Sequence, residues 1–154
     1  MVDENTNSKL LQGKYVFLLT DTMASRKEIF EKHLKFSFDT DLIIETRMGL
    51  RDGRVYAFDP SDFSQRDEWV NTLYSDEEAE VSRCGASASI ITTVQFLASM
   101  ATQRVVHHFY QNFGGRNQQD EKAIIKKPMW NEVHFSLYPE SYYCKEFGKE
   151  PFHL

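Results

Sequence analysis

Cys84 stands in the run Ser82-Arg83-Cys84-Gly85-Ala86-Ser87-Ala88-Ser89, just ahead of a long apolar segment. A helix start offers unpaired backbone N–H groups and the positive end of the helix dipole, and both favour thiolate over thiol. Arg83 adds a positive charge next door. A thiolate so placed is a nucleophile that can take up an acyl group. The alternative is a small buried hydrophobe packed under the helix. Asp21 is the second candidate. It ends the apolar run Tyr15-Val16-Phe17-Leu18-Leu19-Thr20. A carboxylate at the C-terminal end of a parallel strand stands where open α/β sheets bind ligands, and it can hold Mg²⁺ on a nucleotide phosphate. Its alternative role is to cap the next turn.

The elements around these residues follow from pattern. Tyr15 to Thr20 is continuously apolar, as in a strand buried on both faces of a parallel sheet. Ser25-Arg26-Lys27-Glu28 reads as a capping box, followed by a helix with Ile29, Phe30, His33 and Leu34 on one face. Asp41 to Thr46 reads as a second strand, which completes a βαβ unit. Asp52-Gly53 marks a turn, and Arg54 to Phe58 a strand that pairs back. Gln65 to Tyr74 reads as a short helix capped by Ser64. A long helix is expected from about Ser87 to Phe113, stopped by Gly114-Gly115. Asn131 to Leu137 alternates as an antiparallel or edge strand. The expected fold is α/β: a Rossmann-like, mainly parallel sheet with an antiparallel hairpin or edge.

Three segments then resemble one family. Asp21-Thr22-Met23-Ala24-Ser25-Arg26 after a strand is similar to the D-N-x-x-A-R element of the ThiF/MoeB/HesA adenylyltransferases, relatives of the ubiquitin-activating enzymes. Asn5 to Lys14 looks like their approach to that strand. Leu42 to Gly49 resembles their D-A-R-M-G run. Cys84 to Ser89 plus the long helix resembles the C-x-x-S segment of single-domain activating enzymes. The matches cover about Asn5 to Phe113.

The resemblance implies a chemistry. The carboxyl terminus of a small ubiquitin-like or sulfur-carrier protein attacks the α-phosphorus of ATP, an acyl-adenylate forms, and pyrophosphate leaves. A thiol can then take the acyl group. By resemblance Asp21 holds Mg²⁺–ATP, Asp21, Thr22 and Arg26 form the nucleotide-side element, and Cys84 is the acceptor. On this reading residues 1–113 are the C-terminal half of a ThiF-like domain. Residues 114–154 add a loop, an antiparallel strand and an aromatic tail to it. Gly13 is the only glycine before Gly49, so no G-x-G-x-x-G loop precedes Asp21. The paired C-x-x-C zinc motif is absent too, so no zinc is expected. The expectation is therefore a chain complemented by an N-terminal-half chain, or a homodimer. The rival reading is a noncatalytic module that binds a ubiquitin-like protein or a sister subunit. A nucleotide-independent thiol enzyme ranks last, because Cys84 has no evident His partner.

Composition narrows the classes. With 18 basic and 23 acidic side chains the net charge is −5, which gives no electrostatic footprint for nucleic acid. The segment Ile90 to Phe113 is broken by Gln95, Gln103, Arg104, His107 and His108, so no membrane span is expected. Met1 to Lys9 is polar and does not read as a signal peptide. Two cysteines without C-x-x-C spacing argue against a disulfide scaffold, and a cytoplasmic location is the default. The five histidines show no ligand spacing. Trp69, Trp130 and the aromatics from Tyr138 to Phe147 read as tail packing or a docking surface, and Cys144 as structural or incidental.

Overall fold

A computed structural model of the chain describes residues 15–78, 88–113, 129–150 and 152–153. Cys84 and the approach segment Asn5 to Lys14 lie outside these residues. The described elements are β1 (Tyr15–Leu18), α1 (Met23–Ile29), β2 (Leu42–Met48), β3 (Asp52–Phe58), α2 (Phe63–Asn71), α3 (Ala88–Phe113), β4 (Glu132–Leu137), β5 (Glu140–Lys145) and β6 (Phe152–His153). A wide π-type turn, Phe30–Leu34, extends α1 and is closed by Lys35 N–H donating to Phe30 O at 2.8 Å.

The strands form one sheet in chain order, β1 to β6. β1 and β2 are parallel, with Tyr15 opposite Leu42 and Leu18 opposite Glu45. Every other pair is antiparallel. The fold is thus α/β with a mixed sheet, which corrects the expectation of a mainly parallel one. The reason is local. β2 turns straight back into β3, and Gly49 N–H donates to Asp52 O at 2.9 Å. β4 turns into β5 through Tyr138-Pro139, whose peptide bond is cis. Connections this short permit only antiparallel neighbours.

Alternate residues of each strand face opposite layers. On one face Val16, Leu18, Ile43, Tyr56 and Phe58 pack under Ile29, Phe30 and Leu34 of the first helical segment and Trp69 of α2. Trp69 stacks on Phe58 at 5.0 Å and touches Phe30 at 4.7 Å. It is core, not a docking residue. On the other face Leu42, Ile44, Val55, Ala57 and Phe135 pack against Leu97 and Ala101 of α3. Each fully buried side chain of this size contributes roughly 2 kcal/mol. The central strand β2 is therefore covered on both sides, as its apolar run requires.

The helix starts differ by a few residues from those read in the sequence. Thr22, not Ser25, caps α1, and Ser25 N–H donates to Thr22 Oγ1 at 3.1 Å. Asp62, not Ser64, caps α2, accepting from Ser64 and Gln65 N–H. A cap needs a side-chain oxygen two or three residues before a free amide, and in both places an earlier residue offers one.

Candidate functional site

β1 ends at Leu18, and the chain turns through Thr20, Asp21 and Thr22 into α1. This turn borders a cavity of about 660 Å³ between β1, β2, the segment around Tyr74 to Asp76, and α3. Phe17, Leu19, Met48, Val94 and Leu97 form its apolar wall. Asp21 is exposed on its lip, so its carboxylate is accessible. Thr22 is also exposed, but its hydroxyl is committed to capping α1 and lies 2.5 Å from Ser25 Oγ. Of the two side chains, only that of Asp21 is available to a ligand at this turn.

Arg26 is buried beneath the turn at 5% exposure, so it is not a solvated helix-start charge. Its Nη2 donates to Thr20 O at 2.6 Å and to Thr46 O at 2.9 Å. Its Nε lies 2.7 Å from Glu45 Oε1. Arg26 thus ties the end of β1 to β2 and fixes the backbone that carries Asp21. Glu45 is fully buried and also receives Arg47, whose Nη2 is 3.0 Å from Glu45 Oε2, and Trp69 Nε1–H at 3.1 Å. Arg47 further donates to Thr72 O and Oγ1 and lies over the rings of Tyr56 and Tyr74. A carboxylate shared by two guanidiniums and an indole has all its lone pairs engaged, which is what allows the charges to be buried. The sequence reading missed Glu45. Its signal was a lone acid in the middle of Leu42-Ile43-Ile44-Glu45-Thr46-Arg47, with Arg47 two residues on and so on the same face.

The first amides of α1 have a partner within the chain. Asp76 accepts from Met23 N–H at 2.5 Å and Ala24 N–H at 3.2 Å. A carboxylate there satisfies the unpaired donors and the helix dipole. It also draws the segment after α2 across the mouth of the cavity.

The two cations lining the cavity, Arg26 and Arg47, both end on Glu45. The described residues therefore suit the metal side of a metal–nucleotide complex, through Asp21, but offer no unengaged cation to a triphosphate. Nor do they contain a group of three or more His, Cys, Asp or Glu able to hold a metal ion. Cys84 lies four residues before Ala88, where α3 begins.

A second polar cluster sits on the α2 face of β3, β4 and β5. Tyr56 and Tyr143 both donate to Glu132 Oε1, at 3.1 and 2.9 Å. Burial pushes the Tyr56 phenol up to about 12. His134 packs edge-on against Tyr143, and burial, then the charge of Arg54, lowers its pKa. His108 of α3 shares a 3.2 Å hydrogen bond with Tyr15, and burial lowers its pKa too. Cys144 is buried in β5, consistent with a packing role. Among the described residues, no helix is long and apolar enough to cross a membrane. No family model, curated protein or solved structure matches the chain.

Proposed function

We propose that the chain works in the ATP-dependent activation of a ubiquitin-like or sulfur-carrier protein, as the latter half of a ThiF-type domain completed by a second chain. The observation that carries this reading is the exposed Asp21 carboxylate at the end of β1, on the lip of the cavity, with its turn fixed from below by Arg26. That position suits a magnesium-bearing carboxylate. Cys84, ahead of α3, is the proposed acyl acceptor. Arg26 is a positioning residue in this scheme, since its guanidinium is engaged by Glu45 and two carbonyls. The phosphate-binding glycine loop and its cations must come from the completing chain.

A second reading has its own support. Asp76 occupies the α1 amides and Glu45 neutralises both lining arginines, which suits a surface that binds a protein chain rather than a nucleotide. The apolar wall of Phe17, Leu19 and Val94 then serves as the contact.

Native mass spectrometry of the protein from its own source, with and without Mg-ATP, separates the two. The activation reading expects a co-purifying chain with a glycine-rich phosphate loop, and ATP–pyrophosphate exchange by the pair. Asp21→Asn should then lower exchange by about 100-fold or more, as loss of a metal ligand does. Cys84→Ala should leave exchange intact and abolish the thioester. A homodimer without nucleotide adduct, or full exchange in Asp21→Asn, would overturn the catalytic reading.

A further inference from the structure

α3 has 26 residues and contains no Asp, Glu or Lys. Its one arginine, Arg104, is buried at 4% exposure. Thr93, Leu97, Ala101 and Arg104 are buried, and Leu97 and Ala101 pack into the sheet core. The opposite side is a ridge of Val94, Ala98, Thr102 and Val106, all exposed. Val94 and Val106 are each 46% exposed. The one polar member, Thr102, donates its hydroxyl back to Ala98 O at 2.8 Å, so its hydrogen bond closes within the helix.

The ridge has a twofold symmetry. Its members are four residues apart and are arranged evenly about Met100, with small residues at the centre and valines at both ends. Turned end for end, it presents the same profile. Two copies crossing antiparallel would set Val94 against Val106 of the other copy and Ala98 against its Thr102. Ridges of this i, i+4 type interlock at a crossing angle of about −50°, and small residues at the crossing let the axes approach to about 8 Å. A twofold interface demands such self-complementarity, because one patch must fit itself. The absence of charge removes like-charge repulsion across the axis. A lipid surface fits less well, since helices that lie on membranes carry Lys and Arg along their polar face.

We infer that the exposed ridge Val94-Ala98-Thr102-Val106 of α3 is the contact by which two copies of this chain form an antiparallel, twofold-symmetric dimer. The inference does not depend on the proposed activity.

The test is sedimentation equilibrium across the micromolar range, with disulfide trapping alongside. The wild-type chain should sediment as a dimer, and Thr102→Arg as a monomer with an unchanged far-ultraviolet spectrum. In a Cys84→Ser background, mixing tagged Ala98→Cys with untagged Thr102→Cys should give a disulfide-linked heterodimer on mild oxidation. A monomeric wild type would overturn the inference. So would a dimer that survives Thr102→Arg and fails to cross-link, which would mean another face dimerises or that a segment of the same chain covers the ridge. Should Thr102→Arg not fold, the cross-linking result decides alone.

Discussion

Glu45 is the residue on which the site's geometry rests. It is wholly buried and joins Arg26, Arg47 and Trp69. Removing its charge leaves two guanidiniums in the interior without their counter-ion, and breaking such a pair costs about 3–5 kcal/mol. Glu45→Gln should therefore lower the urea-unfolding free energy by about that amount, a large share of a small domain's stability. A loss under about 1 kcal/mol would mean that water reaches the cluster, as at exposed pairs. The candidate carboxylate Asp21 could be read from the sequence, because it directly follows an apolar strand. The cluster beneath it could not, because a buried charge is visible only once its partners are known. The cap at Thr22 was hidden for a smaller reason. Ser25 and Glu28 satisfy the capping-box spacing, but Thr22 meets the same amide requirement three residues earlier.

At the scale of elements, Gly53 shows how closely β3, β4 and α3 fit. A Cβ there would lie 2.7 Å from the Phe135 ring and 2.9 Å from Leu97. Both neighbours are buried, at 3% and 5% exposure, and have little room to yield. Gly53→Ala should destabilise by about 1–3 kcal/mol through overpacking, seen as a lower melting temperature. An unchanged melting temperature would show that α3 can shift outward. The sequence marked Asp52-Gly53 as a turn, whereas Gly53 lies within β3, opposite Phe135 of β4. The βαβ start and the long helix were legible from apolar runs and length. The antiparallel order was not. β2 is buried on both faces because helices cover both sides of the sheet, and that coverage leaves the same apolar run whichever way its neighbours point.

For the whole molecule, the acid side of the stability curve is set partly by His108 and His134. Burial lowers both pKa values in the folded state. The folded protein therefore binds fewer protons than the unfolded chain, so stability is full above the unfolded imidazole value and falls as pH drops through it. Melting temperatures should decline between about pH 7.5 and about pH 5.5, and His108→Gln with His134→Gln should flatten that decline. An identical slope in the double variant would assign the acid response to other groups.

The sheet's strand order has a further consequence. β1 to β3 come from residues 15–58, and β4 to β6 from residues 132–153. Within each set, chain neighbours pair. The two sets meet along a single seam, where β3 faces β4 and Asn131 Nδ2–H donates to Ala57 O at 3.0 Å. Residues 59–131 leave the sheet at one side of the seam and return at the other. Loop-closure entropy grows only slowly with length, at about 0.6 kcal/mol per doubling, so joining the halves is thermodynamically inexpensive but kinetically non-local. Each half can hydrogen-bond by itself before the other arrives. Partial unfolding then has a natural line of parting, and a chain opened along it would present two bare strand edges, the surfaces by which β-proteins pair with the wrong neighbour.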